Sequence, residues 1–440
     1  MGISLHSELS AIFARVEVQL SSVRRTRGAA RRVDALTLVC RWVLRSSSLC
    51  YIGGQLHRFD SRVYVPVEKS EIMAVLDNIL VDMGVPPTEV RKMSDMPLSV
   101  IIERSFSPVS VLCFTNGVLD LPTMAFSSAF SPERPVTETM AYPFDPSARC
   151  PMWESFLEEV LPDEGERAVL QEFFGMVYLD RTKLSVEKFA VLMGQGANGK
   201  SVIFEVIKRV LGADNVSTLD SLQLTSDKML PYVSGKRLNF SPDVSKSSEF
   251  DSALKALVSG QEVTGRRIFS DAEKIKCPPL CFALNDMPVI RDLTPAFFRR
   301  MLLFRFDVRI PPERQDRSLV GKICSHDLPG IFNWIIAGRD RLVENGGSFT
   351  KSPLMDASLE EAKGRAESER YPVKAYLDEK GLSIHPNYLG QEPVMVLRGD
   401  IEAGMGGRAS KYQINAEMKR LGAYSQRTDA LYYKLYEKYE

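Results

Sequence analysis

The sequence has no surplus of charge, no long apolar run and few histidines, and each absence narrows the possible functions. Lys and Arg together number 56, as do Asp and Glu, so the overall charge gives no reason to expect a nucleic-acid partner. Any surface for DNA must come from local clusters of basic residues. The longest apolar runs fall far short of the ~20 residues of a membrane-spanning helix, and residues 1–20 lack the apolar centre of a secretory signal. We therefore expect no membrane partner.

The cysteines indicate the cellular compartment. The seven cysteines are scattered along the chain, which is typical of a reducing cytoplasm rather than of a disulfide framework. Cys277 and Cys281 stand close together in CPPLC, yet no second Cys or His pair follows at zinc spacing. We interpret them as small apolar side chains flanking a strand. The four histidines form no ligand cluster, so the sequence predicts a cytoplasmic protein without a zinc site.

The stretch GQGANGKS at residues 194–201 fits the pattern G-x-x-x-x-G-K-[ST]. Glycines let consecutive backbone N–H groups surround phosphate oxygens, and the start of a following helix adds partial positive charge. In such a loop Lys200 would reach the β- and γ-phosphates, and the Ser201 hydroxyl would ligate Mg²⁺. The alternative is a glycine-rich turn that contains Lys-Ser by chance.

The flanking residues favour the phosphate loop. An apolar run from Phe189 to Met193 precedes it as a strand would, and apolar residues between Val202 and Leu211 recur at helical spacing. Gly212 is a suitable C-cap for that helix. We therefore predict ATP and Mg²⁺ as cofactors. The predicted contacts with the nucleotide come from Gly194, Gly196, Ala197, Asn198, Gly199, Lys200, Ser201 and Val202.

The pattern of elements predicts an α/β fold built on a parallel sheet. Short apolar runs at 189–193, 237–240, 280–284 and 301–306 alternate with helical segments, as in sheets buried on both faces. The predicted regions are an N-terminal helical and hairpin region (1–110), a helical pre-ATPase region (111–185), the ATPase core (186–310), a helical extension and linker (311–368), and a small winged-helix-like α+β domain (369–440).

Residues that could hydrolyse ATP follow the loop in order. Asp243 comes just after the second predicted core strand and is the best acidic candidate for Mg²⁺, Asn285 follows the third, and Arg299 and Arg300 precede the fourth. Hydrolysis needs a carboxylate for the metal, a polar group near the γ-phosphate and a cation for the transition state. The arginine pair is either a surface anchor or a contribution to the site of a neighbouring subunit.

At these residues the sequence resembles the superfamily 3 helicase domain of phage, plasmid and viral replication proteins, within the AAA+ ATPases. The resemblance is greatest to the helicase portion of phage and plasmid primase–helicases. It is carried by GQGANGKS, VSGKRLNFSPDVS, LKALVSGQEVTGRRIF, FALNDMPVIRD and AFFRRMLLFRF, and upstream by FTNGVLDL, PFDPSARCPMWESFLEEVL and LQEFFGMVYLD. It extends from about residue 110 to 310, and more weakly to 440, where the family often carries a winged helix.

The resemblance implies an ATP-dependent DNA helicase. It implies a homo-hexameric ring that moves along single-stranded DNA and unwinds forked or duplex DNA during replication of a phage, plasmid or mobile element in a bacterial cytoplasm. Lys200 and Ser201 would bind phosphate and Mg²⁺, Asp243 would be the catalytic acid, and Asn285 the sensor. The finger reaching a neighbour's site would be Arg299 or Arg300, and Lys274 and Lys276 of a pore hairpin would bind DNA.

One position departs from the family pattern. Relatives usually carry a glutamate or two adjacent acids where this chain has Ser241-Pro242-Asp243, so Glu249 or Asp251 are further candidates, although both are expected to begin the next helix. The first 110 residues show no D-x-D or D-x-E near a His, so we predict no primer synthesis and a separate primase as a possible partner. The arginine-rich run at 24–32 and the C-terminal tail are candidates for oligomerisation, origin binding or partner contacts.

Two other functions fit the same loop. One is an ATP-dependent origin-binding or initiator protein that assembles on DNA without processive unwinding. The other is a P-loop kinase for small molecules, which would need an arginine-rich lid that the sequence does not display. DNA stimulation of ATP hydrolysis separates the kinase from the two DNA-dependent functions, and strand displacement on a fork separates those two from each other.

Overall fold

The computed structural model describes residues 4–15, 29–52, 55–90, 101–103, 111–133, 136–137, 139–242, 249–266, 272–385, 394–423, 425–427 and 431–437. The N-terminal region, the central sheet and the C-terminal unit each enclose their own buried apolar side chains. No helix among these described residues is long and apolar enough to cross a membrane.

The N-terminal region packs helices against a four-stranded sheet of order β3-β2-β1-β4. Its elements are α1 (Leu5–Arg15), α2 (Ala29–Ser46), β1 (Cys50–Ile52), β2 (Gln55–Phe59), β3 (Tyr64–Pro66), α3 (Lys69–Asp82), α4 (Pro87–Val90) and β4 (Ile102–Glu103). The predicted hairpin is confirmed, since β1, β2 and β3 pair antiparallel. Most of the arginine-rich run at 24–32 lies outside the described residues.

The region that follows begins with a sheet, which the helical prediction for 111–185 missed. Three antiparallel strands, β5 (Val111–Phe114), β6 (Gly117–Asp120) and β7 (Ala125–Ser127), precede the helices α5 (Pro151–Val160), α6 (Glu164–Gly175) and α7 (Arg181–Leu184). The turn between β5 and β6 is fixed by Asn116, whose side chain donates to the Phe144 carbonyl and accepts from the Phe144 amide, both at 2.9 Å. This tertiary contact stabilises a hairpin that helical periodicity alone does not reveal.

A five-stranded parallel sheet of order β16-β8-β14-β10-β9 forms the centre of the chain. Its strands are β8 (Phe189–Met193), β9 (Val216–Ser217), β10 (Leu238–Ser241), β14 (Leu280–Leu284) and β16 (Met301–Arg305). The predicted α/β class and parallel sheet are therefore confirmed, with β10 displaced by one residue and β9 added. Alternate residues of β8, β14 and β16 enter different cores, which explains their unbroken apolar runs.

Helices and short strands cover both faces of this sheet. They are α8 (Lys200–Leu211), α9 (Ser221–Leu224), β11 (Glu249–Phe250), α10 (Ala253–Val258), β12 (Glu262–Arg266), β13 (Ala272–Lys276), β15 (Val289–Ile290), α11 (Pro295–Phe298), α12 (Leu319–His326) and α13 (Leu328–Glu344). One core contains side chains of α5, α6, α8 and α13, and the other contains side chains of α10 and α11. Cys277 and Cys281 are buried at the start of β14, as expected of small apolar side chains.

The segment that composition marks as a linker is a helix, α14 (Pro353–Arg370), which packs against the edge strand β16. Ser352 caps it by accepting a hydrogen bond from the Met355 amide at 3.3 Å, and Pro353 occupies the first turn, where proline is favourable. An ion pair of 2.7 Å joins Arg305 to Glu361 across the contact. The helix buries few side chains, so its polar composition resembles that of a linker.

The C-terminal unit combines three helices with a small antiparallel sheet. It contains α15 (Pro372–Glu379), β17 (Leu382–Ser383), β18 (Val394–Leu397), α16 (Arg398–Gly404), α17 (Lys411–Arg420), β19 (Ser425–Arg427) and β20 (Leu431–Glu437). Strand β20 pairs with β17, β18 and β19. The mixture of helix and strand expected for this region is present, with its own apolar core.

A buried carboxyl group in α6 makes the stability of the fold depend on pH. Burial, helped by the charge of Asp163, raises the pKa of Glu166 to about 7, although a hydrogen bond from the Arg305 amide acts in the opposite direction. One oxygen of this carboxyl group is buried without a hydrogen-bond partner. Because the folded pKa lies above the ordinary value of 4.5, ionisation of Glu166 costs stability progressively as pH rises from about 4.5 to about 7.

Glu166→Gln should remove that cost. We expect the melting temperature of the variant to exceed that of the parent by a few degrees at about pH 8 and by much less at about pH 5, measured by thermal unfolding at both values. Glu164→Gln is the matched control, because Glu164 is exposed in the same helical turn. An equal gain for Glu166→Gln at both pH values would contradict the assignment.

Candidate nucleotide-binding site

The GQGANGKS loop lies at the carboxyl edge of the central sheet. It leaves β8 after Met193 and enters α8 at Lys200. Met193 is paired in register with Leu284 of β14 and with Arg305 of β16. The Gly194 amide donates to the Leu284 carbonyl at 3.1 Å. The ends of three adjacent strands therefore surround the beginning of the loop.

Two glycines of the loop stand where a side chain would collide. Gly199 has a φ of +88°, and a Cβ there would lie 2.8 Å from Val160 Cγ1. A Cβ on Gly194 would lie 2.3 Å from the Phe306 carbonyl oxygen. Between them, Ala197 has the left-handed φ of +57°, and its carbonyl accepts a hydrogen bond from the Ile310 amide at 2.8 Å. The loop conformation is thus held by contacts from several elements.

Lys200 is held over the loop by the loop itself. Its ammonium group donates to the Gly194 carbonyl and to Asn198 Oδ1, the latter at 3.1 Å. The Asn198 amide nitrogen donates in turn to the Phe306 carbonyl at 3.2 Å. Lys200 is buried, and desolvation lowers its pKa. An anionic oxygen placed at the loop would replace a neutral acceptor with a charged one and offset that desolvation.

The remaining predicted contact residues lie around the same turn. Gly196 has open space beside it, so backbone approaches by a ligand are unobstructed there. Ser201 is exposed in the first turn of α8, while Val202 packs against the larger apolar core. The structure therefore leaves Ser201 accessible to a metal ion and assigns Val202 a packing contact.

Of the three acids that the sequence offers for Mg²⁺, the structure describes only Glu249 and Asp251. Asp243 lies outside the described residues, and β10 runs toward the loop edge as far as Ser241. Glu249 belongs to the strand β11, which corrects the expectation that it begins a helix, because residues 249–250 pair with 289–290. Asp251 accepts a hydrogen bond at 2.8 Å from the amide of Ala253, the first residue of α10.

The carboxylate of Asp286 contacts the loop, and the sequence interpretation missed it. Gln195 donates from its side-chain nitrogen to the Asn285 carbonyl at 3.1 Å and to Asp286 Oδ1 at 3.0 Å. Asn285 and Asp286 are both exposed at the end of β14. The signal was present in the sequence, since Asp286 directly follows the predicted sensor Asn285. Within the described residues, no group of three or more His, Cys, Asp or Glu side chains is arranged to hold a metal ion.

The two arginines lie at the opposite edge of the sheet. They precede Met301, which pairs with Phe189 at the start of β8. The five residues of each strand then separate them from the loop of their own chain, a distance of roughly 16 Å at the usual rise per residue. Neither arginine is therefore close to the phosphate loop of its own chain.

Their surroundings distinguish the two. Arg300 forms an ion pair with Glu187 and donates to the Ala296 carbonyl at 2.6 Å, and its side chain is only 12% exposed. Arg299 is exposed and borders a cavity of about 470 Å³ that Lys188 and Lys351 also line. The Lys188 ammonium group donates to the Arg299 carbonyl. Arg300 is thus an anchor within the chain, and Arg299 is the available cation.

The predicted DNA-binding lysines belong to one antiparallel hairpin, β12–β13, with Thr264 opposite Lys274 and Glu262 opposite Lys276. Its tip, at 267–271, lies outside the described residues. Lys274 is 80% exposed and 3.5 Å from Glu262. Lys276 lies 3.0 Å from Asp180 at the base, where hydrogen bonds from Thr182 and Lys276 lower the pKa of Asp180. The hairpin therefore presents Lys274 to solvent and uses Lys276 as an anchor.

An exposed aromatic ring stands beside the hairpin. Tyr232 lies in the 3-10 turn Leu230–Val233, which contacts both hairpin strands, and its side chain is 65% exposed. Gly265 allows this close packing, because a Cβ there would lie 3.3 Å from Pro231 Cδ. The sequence interpretation did not select Tyr232, since nothing in its local pattern distinguishes it from a core tyrosine.

Two family models match this chain in part. Residues 192–300 match a family of unknown function, DUF5906, and residues 53–162 match a family described as D5 N terminal like. The first match contains the loop, the hairpin, Asn285 and both arginines. The second runs from the N-terminal sheet to the end of α5.

One relative among known proteins is the "Putative helicase L207/L206" of Acanthamoeba polyphaga mimivirus. It is 27% identical over 207 residues, which cover 44% of this chain and 21% of the relative. The matched part is thus about a fifth of that protein's length. Two solved apo structures of the NrS-1 C-terminal region superpose with TM-scores of 0.49 and 0.46 at 12% and 11% identity, each over 89% of this chain and 96% of that chain.

The fold and the sequence similarities define a class. The chain is a mixed α/β protein with a five-stranded parallel sheet, similar in part to a helicase-like protein of a virus. Its N-terminal part carries, in addition, a segment similar to the D5-type N-terminal family.

Proposed function

We propose that this chain is an ATP hydrolase of the superfamily 3 helicase type that unwinds DNA during replication of a phage, plasmid or virus. The observation that carries the proposal is the loop 194–201 at the carboxyl edge of a parallel sheet, with Lys200 buried over it and bonded only to neutral oxygens. This turn combines a desolvated cation, backbone amides and the start of a helix. That combination suits a nucleoside triphosphate.

Mg²⁺ would bind at the same edge. Ser201 supplies an accessible hydroxyl, and Asp243 follows β10 in the sequence. Asp286, already bonded to Gln195 of the loop, is a further carboxylate for the metal or for its bound water. Two acids from adjacent strands would compensate for the single short acid in the second motif. Mg²⁺ would neutralise phosphate charge that develops during transfer to water.

The strand order supports a sensor role for Asn285. Strand β14 lies between β8 and β10, so the residue at its end stands between the phosphate loop and the end of β10. A side-chain amide there can bond both the γ-phosphate and the attacking water. This position follows from the sheet topology and not from spacing along the chain.

The arginines support an assembly of several copies. Arg299 is exposed at the sheet edge away from its own loop, so a neighbour stacked against that edge would receive its guanidinium group. An ATP site completed in this manner hydrolyses only within a ring or filament. The AAA+ core, the homo-hexamer and the finger role of Arg299 belong to the proposal together.

Single-stranded DNA would contact the hairpin. Lys274 provides an exposed charge for phosphates, and the ring of Tyr232 provides a surface on which a base can stack. Lys274 belongs to the hairpin, and Tyr232 belongs to the turn that contacts both hairpin strands. Neither the charge contact nor the stacking contact would depend on the identity of the base. The binding should therefore be sensitive to salt and tolerant of sequence.

The hairpin proposal predicts different results for its two lysines. Lys274→Ala should weaken binding to single-stranded DNA by about 3- to 10-fold and slow strand displacement on a fork, with basal ATP hydrolysis retained. Lys276→Ala should instead lower the melting temperature, because it leaves Asp180 without its ion pair. Anisotropy of a labelled oligonucleotide, a fork assay and thermal unfolding measure these effects.

Full unwinding by Lys274→Ala would refute the assignment of the hairpin and leave the ATPase assignment intact. DNA-stimulated ATP hydrolysis without any strand displacement by the parent chain would favour an initiator that assembles on DNA. If DNA did not change the rate of ATP hydrolysis, both the helicase and the initiator function would be excluded, and a small-molecule kinase would be favoured.

A further inference from the structure

A cavity of about 400 Å³ lies where the β12–β13 hairpin joins the central sheet. Its walls come from the segment around the start of α7, from the turn at 234–237 that precedes β10, and from the hairpin stem with residues 276–279 that precede β14. Strands β10 and β14 are parallel neighbours, so their starts meet at the edge of the sheet opposite the GQGANGKS loop. We call this cavity the hairpin-base pocket.

The charged side chains of the hairpin-base pocket are mostly cationic. Two carboxylates line it, and each forms an ion pair with a hairpin lysine. Asp180 lies 3.0 Å from Lys276, and Glu262 lies 3.5 Å from Lys274. The cations that line the pocket are Arg181, Lys236, Arg237, Lys274 and Lys276. These cations outnumber the two acids, so the pocket carries net positive charge and attracts anions.

Two of these cations, Arg181 and Arg237, are buried. The Arg181 guanidinium group donates to the carbonyl oxygen of Val258 at 3.1 Å and to that of Cys277. Desolvation lowers the pKa of Arg181, because neutral oxygens replace only part of the hydration that the charge loses on burial. The Arg237 guanidinium group lies 5.2 Å from the centre of the Tyr178 ring. Both guanidinium groups are therefore positioned by the fold itself.

The turn before β10 gives access to the pocket. Gly235 has a φ of +72° and open space beside it, so a ligand can approach the backbone there. Lys236 is half-buried, and its ammonium group donates to the Asp214 carbonyl. An ammonium group has three donors, so Lys236 can also bind a ligand oxygen. An apolar wall completes the pocket, formed by Val177, Leu179, Pro278 and Pro279.

We infer that the hairpin-base pocket binds a nucleotide through its phosphate group, as a second anion site apart from the GQGANGKS loop. Arginine and lysine side chains bind phosphate oxygens by charge-assisted hydrogen bonds, and a planar guanidinium group can bind two of these oxygens at once. The phosphate would also offset the cost of burying Arg181. The apolar wall suits the sugar and base, and small-molecule pockets have similar volumes, roughly 300–1,000 Å³.

The nucleotide has two possible sources that share this chemistry. One is a free nucleotide. The other is a nucleotide unit of single-stranded DNA, because Lys274 both lines the pocket and is exposed to solvent. Only the second source rests on the proposed contact between the hairpin and DNA. Neither source uses Lys200 or its loop, so binding here goes beyond the proposed ATP hydrolysis and does not require it.

The test measures binding of thymidine monophosphate by isothermal titration calorimetry. It uses the full chain with Lys200→Ala, so that the lysine of the GQGANGKS loop contributes no phosphate contact. On this background we expect Arg237→Gln to weaken binding by about 10-fold or more and Lys236→Ala by about 3- to 10-fold. Thymidine, which lacks the phosphate group, should bind at least about 10-fold more weakly than its monophosphate.

Lys183→Ala is the matched control. Lys183 is exposed in the same short helix as Arg181 and is not among the described residues that line the pocket, so its loss should leave the affinity unchanged. Thermal unfolding shows which variants are folded, and Lys236→Ala carries the test if burial makes Arg237→Gln unstable. The inference would be overturned by equal affinities of the folded Lys236→Ala chain and its background, by thymidine binding as tightly as its monophosphate, or by no binding of the monophosphate.

A dT oligonucleotide of about 15 nucleotides distinguishes the two sources. If single-stranded DNA occupies the pocket, saturating oligonucleotide should weaken binding of thymidine monophosphate, and Lys236→Ala should weaken binding of the oligonucleotide. If a free nucleotide occupies it, thymidine monophosphate should bind equally well with and without the oligonucleotide. A chain that binds the monophosphate through Lys236 but does not bind the oligonucleotide would refute the proposed DNA contact of the hairpin and support the pocket as a site for free nucleotides.

Discussion

Replacing Lys200 with alanine should lower the rate of ATP hydrolysis by about 100-fold or more. The buried ammonium group is the cation that the loop places beside its own backbone, and it is held by Gly194 and Asn198. Without it, charge that develops on the β- and γ-phosphates loses its nearest fixed partner. Phosphate release measured at saturating ATP and Mg²⁺ gives the rate, and binding of a fluorescent ATP analogue gives the affinity.

Lys208→Ala is the matched control for that substitution. Lys208 lies in the last turn of the same helix, where its ammonium group is 5.5 Å from the Phe204 ring and far from the loop. We expect it to hydrolyse ATP at the rate of the parent chain. The melting temperature of Lys200→Ala without nucleotide should stay close to that of the parent, because a desolvated cation is removed together with its hydrogen bonds. If a folded Lys200→Ala chain kept the parent rate of ATP hydrolysis, the loop would not be the site of hydrolysis.

The core strands were predictable because burial on both faces leaves a plain signal. Residues 189–193 and 280–284 are apolar without interruption, and the structure has strands with those bounds. The loop between β8 and α8 was predictable for another reason, since its glycines stand where side chains would collide. Local sequence therefore determines the centre of this fold directly.

Elements stabilised by distant contacts were harder to predict. The polar segment 353–370 forms a helix because Ser352 caps it and β16 supplies an apolar surface, and neither fact is visible in its composition. The β5–β6 hairpin depends on Asn116 bonding Phe144. In both cases the partner lies elsewhere in the chain.

The same limit applied to residue roles within the site. The sequence proposed Arg299 and Arg300 as equivalent, and only Glu187, which precedes β8, distinguishes them by pairing with Arg300. Lys274 and Lys276 lie on the same strand, yet Asp180 forms an ion pair with Lys276 and not with Lys274. Asp286 contacts the loop because Gln195 reaches the end of a neighbouring strand. Adjacent residues acquire different roles through contacts that sequence spacing does not encode.

The second large effect concerns Arg299. Arg299→Ala should reduce ATP hydrolysis by about 100-fold or more without lowering the melting temperature, because the side chain is exposed and, in the proposed assembly, would complete a neighbour's site. Arg300→Ala should do the opposite. It breaks the ion pair with Glu187 in a half-buried position, so we expect a melting temperature lower by a few degrees and hydrolysis close to the parent rate below that temperature.

Mixing two inactive variants tests whether the arginine acts between copies. A chain with Arg299→Ala keeps an intact phosphate loop, and a chain with Lys200→Ala keeps an intact arginine. An equal mixture that reassembles at random has about one quarter of its interfaces complete, so about one quarter of the parent rate should return. Adding the double variant in place of Lys200→Ala should restore nothing, because neither chain then supplies the guanidinium group. A mixture that stays inactive while the variants co-assemble would show that Arg299 does not serve a neighbouring loop.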